Sequence, residues 1–318
     1  MILILSVSTD KSTWDVVEWI ETMNTEYVVI TEKSQVSIVQ ISPAKSVIIR
    51  VDGVEINFND IRGYWYRRGD FELSTAISVL PEIEEFREFV KRENLIVKQY
   101  LHRKLLNVNY RVGSKLTASM NKLDVLYQAV KVGLNVPDTL VTNQKNKVTA
   151  FCDLKKSVVT KAISEMFISR TEAYNALSYT SLLHDDFVRS LPETISLSLV
   201  QEEIDKWFEV RTFYLKGEFY SMAIFSQENE KTKMDFRNYD NTKPNRTVPF
   251  KLPADVKVKL KDLLNRLFLD TGSIDIVVDR SSVYYFLEVN PIGQFGMTSR
   301  PCNYHLEREI YNVLCFNK

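Results

Sequence analysis

Apolar residues recur along the chain in two rhythms. Near the start, "ILILSV" is a short continuous apolar run, "KSTWDVVEWIETM" repeats apolar residues at helical spacing after a Ser/Thr start, and "EYVVIT" is a short run again. This strand–helix–strand order predicts a parallel, Rossmann-like lobe. "SIVQIS" and "SVIIRVDGVEINF" add strands, the second carrying an Asp-Gly turn signal. "GYWYRRGDF" follows, and then a long helical run, "PEIEEFREFVKRENLIVKQYLHRKLLN", whose Pro81 suits a first helical turn.

The pattern then changes. "SKLTASMNKLDVLYQAVKVGLNVPDTLVT" predicts a helix stopping at Gly133, with Pro137 just beyond. "SVVTKAIS" and "SLSLVQEEI" read as strands, and "EVRTFYLKGEFYSMAIFS" as a hairpin around Lys-Gly. "VKVKLKDLLNRLFLDTG" is an amphipathic helix that Gly272 would close. "SIDIVVDRSSVYYFLEVN" is a second hairpin, and "LEREIYNVL" a last helix. There is no internal repeat and no low-complexity segment.

The chain has 318 residues, which suits two or three lobes. Lys+Arg and Asp+Glu both number 41, so net charge offers no case for a nucleic-acid or anionic-membrane partner. Three cysteines without a CxxC point to a reducing cytoplasm rather than a disulfide framework. The apolar start lacks a basic flank and is too short to span a membrane or act as a signal peptide, so it reads as a buried first strand.

The second hairpin carries the candidate chemistry. If "DRSS" is a four-residue turn, Asp279 opposes Ser282 and Asp275 opposes Phe286. Asp275, Glu288 and Asn290 then share one face, the acids as diagonal neighbours, and a one-residue change in the loop would undo this. Three hard oxygen donors on one face suit Mg²⁺, although a solvated polar strand face would carry the same residues. Lys161, in "VVTK", can hold phosphate as a point charge or stand exposed on its strand. The strand ending at Gln201, Glu202, Glu203 and Ile204 can offer backbone groups to an adenine edge. Glu209 can accept bonds from ribose hydroxyls, and Arg211 can neutralise phosphate oxygens. Each has a structural alternative when taken singly; their order along the chain is what joins them.

That order resembles the ATP-grasp superfamily across the whole chain. "WYRRGDF" and "NPIGQFGMTSRPCNYHLEREI" resemble the grasp-with-spasm branch of the peptide maturases that make graspetides, the microviridin-type cross-linked peptides. The resemblance implies an α+β, ATP-grasp fold: a Rossmann-like N-terminal lobe over 1–112, a central α+β lobe over 113–199 and a C-terminal antiparallel-sheet lobe over 200–318. It implies ATP and Mg²⁺ as cofactors. Lys122 and Lys161 would reach the phosphates, Gln201, Glu202, Glu203 and Ile204 would hold adenine, and Glu209 would hold ribose. Arg211 and Arg237 would lie near the transferred phosphoryl group, and Asp275, Glu288 and Asn290 would bind the metal. The implied partner is a ribosomally made precursor peptide, leader plus core, cross-linked internally through side-chain esters or amides; a homodimer is a further family expectation. The glycine-rich loop common after the second lysine is missing, for "AISEMFISRTEA" contains no glycine, so no phosphate-loop residues are assigned there. Rival readings are a ligase adding free amino acids to a peptide or protein end, and a non-catalytic ATP-binding module.

Other features are weaker. Cys302 and His305 lack a third orienting group, so packing is the expected role of Cys302. His102 and His184 show no zinc spacing. "YWYRRGDF" reads as an edge strand lining the cleft, with Arg67 or Arg68 facing the acids of a peptide.

Overall fold

The computed structural model describes residues 1–74, 83–164, 168–170, 175–177, 180–227 and 242–316. In the first lobe, β1 (Ile2–Leu5) runs into α1 (Lys11–Thr22), whose N-terminus is capped by Asp10, and then β2 (Tyr27–Ile30). A separate antiparallel meander follows: β3 (Val36–Ser42), β4 (Ser46–Val51) and β5 (Val54–Asn57). Its Asp52–Gly53 turn has φ of 48° and 88°, the doubly left-handed geometry that suits strand twist. The chain returns as β6 (Gly63–Tyr66), α2 (Glu84–Leu105) and β7 (Tyr110–Val112). The four parallel strands lie in the order β2-β1-β6-β7.

β1 is apolar at every position because both its faces are covered. Leu3 and Leu5 pack with the meander and the last turns of α2, whereas Ile2 and Ile4 face α1. β6 lies between β1 and β7, so "GYWY" is an interior strand and not the expected edge. Pro81 lies outside the described residues, and α2 begins at Glu84 with Ile83 as its cap.

The central lobe opens with α3 (Lys122–Lys131), capped by the Asn121 side chain and ended before Gly133, which has φ of 77°. β8 (Thr139–Gln144), α4 (Lys145–Leu154) and β9 (Val158–Lys161) follow. Next come β10 (Ile168–Arg170), β11 (Asn175–Leu177), β12 (Ser181–Leu182), α5 (Asp185–Ser190) and β13 (Thr194–Glu202). The main sheet has the order β12-β9-β13-β8, and β10 pairs with β11.

The last lobe contains β14 (Lys206–Leu215), β15 (Glu218–Phe225), β16 (Arg246–Phe250), α6 (Ala254–Arg266), β17 (Thr271–Asp279) and β18 (Tyr284–Asn290). Its antiparallel sheet has the order β16-β15-β14-β17-β18, and β14 and β15 join through the expected Lys216–Gly217 turn. α6 presents Val256, Leu260, Leu263 and Leu264 to this sheet together with Val125 and Ala129 of α3. Each of these buried Val and Leu side chains contributes about 1.5–3 kcal/mol. Gly272 does not close α6, as the pattern had predicted. The left-handed residue is Phe268, at φ 56°, and Leu269 N–H bonds back to Leu264 O at 2.9 Å. Gly272 lies inside β17, where a Cβ would sit 3.1 Å from the Val289 side chain.

α7 (Gly296–Cys302) and α8 (Leu306–Cys315) finish the chain. α8 returns to the first lobe and covers its sheet beside α1 with Leu306, Ile310, Tyr311 and Leu314. Asp270 also ties the lobes together, accepting from Gly113 N–H at 2.9 Å, Arg111 Nε at 3.3 Å and Lys216 Nζ at 2.9 Å. Among the described residues, no helix is long and apolar enough to cross a membrane.

Phe268 is 83% exposed, so its ring packs on little while its backbone carries the left-handed penalty. Phe268→Gly should raise stability by roughly 0.5–1 kcal/mol, the left-handed penalty less the extra entropy of an unfolded glycine. Urea denaturation would show a higher midpoint with an unchanged slope.

Candidate active site

The site is built on three adjacent strands. Across β14, β17 and β18, Arg211 opposes Asp275 and Asp275 opposes Glu288. One terminal nitrogen of Arg211 donates to both Asp275 oxygens, at 2.9 and 3.0 Å, and the pair is largely buried. Lys122, the first residue of α3, places Nζ 3.3 Å from Glu288 Oε2. It is held there because α3 packs on the sheet and the segment after it bonds to β18, Phe286 N–H to Asn135 O at 2.8 Å. The result is a row of charges, cation–anion–anion–cation, on one face.

The expected turn does not occur. Asp279 N–H bonds to Val283 O, leaving the three-residue loop 280–282, whose last residue, Ser282, has φ of 63°. Asp279 Oδ1 stabilises it by accepting from Ser281 and Val283 N–H at 2.9 and 2.8 Å. This moves the register by one, so that Ile276 rather than Asp275 faces Phe286. Carried on unbroken, that register would place Glu288 on the opposite face from Asp275. A β-bulge with one extra residue on β18, Leu287, moves it on again. Asp275 then stands directly opposite Glu288, and Ser273 opposite Asn290. The three side chains share a face, but with the acids in line rather than diagonal.

These donors fit a hard cation. Among the described residues no three His, Cys, Asp or Glu side chains converge. A cation here would take two carboxylates and one amide oxygen and complete its shell with water and phosphate oxygens, the pattern typical of Mg²⁺. Asn290 Oδ1 already accepts from Ile292 N–H at 2.9 Å, which fixes the side chain and leaves a second lone pair for a metal.

Glu209 lies two residues before Arg211 on the same strand face. It is buried, and accepts from Lys206 Nζ at 2.6 Å and Ser226 Oγ at 3.0 Å. Burial pushes its carboxyl up, against the pull of both partners. Lys206 was not singled out from the sequence. In a regular strand, residues three apart face opposite ways, and only the register shift between Lys206 and Phe208 turns it toward Glu209.

The end of β13 leads into β14 through three residues. Gln201 is buried and its Nε2 donates to Thr139 Oγ1 at 2.7 Å. Glu202 and Glu203 donate their N–H groups to Asp138 O and Ser157 O, and the Glu202 carboxylate meets Lys155 Nζ at 3.3 Å. Lys161 ends β9 opposite Leu199, half-buried. Arg237 lies outside the described residues, as does half of "AISEMFISRTEA".

Arg67 does not face an open cleft. It is buried, with Nη1 donating to Ile292 O at 2.7 Å and Nη2 3.3 Å from Asp10 Oδ2. Burial lowers its pKa to about 10, opposed by Asp10, so it stays charged at neutral pH. Arg68 remains partly exposed. His102 bonds Asp70 Oδ1 at 2.8 Å. Burial alone would raise the Asp70 carboxyl, but the His102 and Phe71 N–H bonds prevail and hold it below the usual range. Cys302 packs with Met222 and Ile224, as expected, and burial raises its thiol pKa. A cavity of about 590 Å³ bounded by Met1, Asp60, Arg62 and Tyr110 opens at the N-terminal ends of the parallel strands. Ligands of such sheets bind at the other end, outside the carboxyl ends of the strands.

Gly293 closes the loop after β18. A Cβ there would lie 2.0 Å from Ser273 Oγ and 2.5 Å from Ser273 N. Gly293→Ala should cost about 1–3 kcal/mol by overpacking, read as a lower urea midpoint.

No protein-family model and no curated protein sequence matches the chain. Solved structures do, over nearly its whole length. One is a Chryseobacterium gregarium RiPP-associated ATP-grasp ligase in complex with ADP and a leader and core peptide; its TM-score is 0.81 at 23% identity, covering 99% of this chain and 96% of that one. A second is the macrocyclase MdnC from Microcystis aeruginosa, bound with the precursor peptide MdnA, with a TM-score of 0.76 at 22% identity and 98% of each chain covered. A third is the ATP-grasp ligase PsnB with a minimal precursor, Mg and ADP, with a TM-score of 0.69 at 17% identity and 98% of each chain covered. With the parallel sheet of its first lobe, the larger antiparallel sheets of the central and last lobes and this likeness along the whole chain, the protein has the ATP-grasp fold.

Proposed function

We propose that the protein is an ATP-dependent ligase that activates side-chain carboxylates of a ribosomally made precursor peptide and joins them to other side chains of the same peptide. The observation that carries this is the row Arg211–Asp275–Glu288–Lys122, two opposed carboxylates bracketed by cations. The similar ligases with bound ADP and peptides support the choice of substrates. In this reading residues 1–112 form the Rossmann-like lobe, and 113–199 and 200–318 the two lobes that enclose the nucleotide.

Adenine would lie against the end of β13. The N–H groups of Glu202 and Glu203 are engaged within the sheet, so Ile204 is the linker residue left to offer one. Glu209 would accept from the ribose hydroxyls. Lys122, Lys161, Arg211 and Arg237 would offset charge on the phosphoryl oxygens, which is where most of the catalysis of phosphoryl transfer resides. Asp275, Glu288 and Asn290 would hold Mg²⁺, which supplies further charge stabilisation at those oxygens. A peptide carboxylate oxygen attacks the γ-phosphorus and the bond to ADP breaks, giving an acyl phosphate. A Ser/Thr hydroxyl or a Lys amine then attacks the acyl carbon and loses its proton, and inorganic phosphate leaves. The peptide loses one water per ester or amide. Both reacting groups belong to one bound peptide, which raises their effective concentration. All three cysteines are free, which fits work in the cytoplasm.

The protein would act as a homodimer through α2. Phe86, Phe89 and Ile96 are exposed along it. Its first turn carries Glu84 and Glu85, and its last turn His102, Arg103 and Lys104. Two copies pairing antiparallel would cover the apolar stripe and match these ends.

Incubated with ATP, Mg²⁺ and its precursor, the protein should lower the peptide mass by one water per bond while ADP appears. A mass gain of one amino acid would instead mark addition of free amino acids, and ADP formation indifferent to peptide would argue against a ligase. Glu288→Ala and Asn290→Ala should each reduce turnover at least ~100-fold, the scale for losing one charge-stabilising element, with the native fold retained by circular dichroism. Phe89→Glu should convert a dimer to a monomer in sedimentation; a wild-type monomer would refute the dimer alone.

A further inference from the structure

Arg67 is 3% exposed, and a guanidinium this deep costs several kcal/mol to desolvate unless its partners are well placed. Its main chain is anchored at the end of β1, N–H to Leu5 O at 2.9 Å. Its carboxylate partner is also held. Asp10 caps α1 through Oδ1, 3.2 Å from Thr13 N, and Oδ2 lies 2.8 Å from Arg68 Nε. From this fixed base the Arg67 side chain leaves the first lobe and donates to Ile292 O at 2.7 Å.

Ile292 is the residue that sets Asn290. Its N–H donates to Asn290 Oδ1, so one residue carries the guanidinium on its carbonyl and the candidate metal ligand on its amide. On the other side, Gly293 is pressed against Ser273, which opposes Asn290 across the strands. The loop is thus pinned from below by β17 and from the side by Arg67. An apolar side chain of similar volume would fill the seam at lower cost. What it could not do is fix the direction of a carbonyl.

We propose that Arg67 is a positioning residue for the divalent cation: by holding the Ile292 carbonyl it sets the turn that aims Asn290 Oδ1 at the metal. The first lobe would then govern the geometry of a metal site built on the last lobe's sheet. This rests on the ATP-site reading above.

The test uses the full chain, Mn²⁺ as the probe and AMPPNP as the nucleotide. Mn²⁺ affinity at saturating AMPPNP is measured by electron paramagnetic resonance, and AMPPNP affinity in EDTA by calorimetry. Arg67→Met should weaken Mn²⁺ binding by ~10–100-fold, the usual loss when a residue orienting a metal ligand is removed. It should leave metal-free nucleotide affinity unchanged and speed amide exchange at Ile292. Arg67→Lys, which keeps the charge and a donor, should recover part of the loss. Unchanged Mn²⁺ affinity in Arg67→Met overturns the inference, as does an equal loss of metal-free nucleotide affinity, which would mark general damage. If Arg67→Met does not fold, Arg67→Lys decides: weaker Mn²⁺ binding at a wild-type melting temperature supports the role, and full affinity refutes it. A wild-type protein that binds AMPPNP without enhancing Mn²⁺ binding would remove the metal-site reading itself, a different failure from an unaffected variant.

Discussion

Two carboxylates standing opposite each other on neighbouring strands are the constraint to which the rest of this structure answers. At a separation of about 5 Å and an effective dielectric near 20, Asp275 and Glu288 would repel by about 3 kcal/mol. Few sheets would keep such a pair without compensation. Here it comes from both ends of the row, Arg211 on β14 and Lys122 on α3. In the ATP-site reading, a divalent cation with phosphate oxygens would add a further counter-charge between the two carboxylates.

Holding that row requires elements from all three lobes. Lys122 reaches Glu288 because α3 packs on the C-terminal sheet through Val125 and Ala129. Arg67 reaches the loop after β18 from the end of the parallel sheet. Asp270 gathers Gly113, Arg111 and Lys216 at another seam, and α8 crosses back to close the hydrophobic core around β1. A row so supported is held from several sides, which would suit a reaction carried by fixed charges rather than by a protein nucleophile.

Much of this was legible along the chain. The apolar run of β1, the Asp-Gly and Lys-Gly turns, the Gly133 stop of α3 and the apolar face of α6 are local signals, and the structure follows them. Signals that depended on a neighbour misled. Gly272 looked like a helix stop, yet it is a strand residue chosen for the close approach of Val289 and Asn290. "GYWY" looked like an edge because nothing local announces β7 beside it.

By itself the sequence determined which residues carry charge, which of the longer strands and helices form, and that Arg211 lies on one hairpin and Asp275, Glu288 and Asn290 on another. Only the tertiary structure decided how they meet. A three-residue loop and a bulge each moved the β17–β18 register by one, and their sum returned both acids to the same face. A similar bulge turned Lys206 onto Glu209, and burial against Asp10 and Ile292 aimed Arg67 inward. The physical reason is that alternation in a strand is a local property, whereas register and burial are set by what lies across the sheet, often from residues hundreds of positions away.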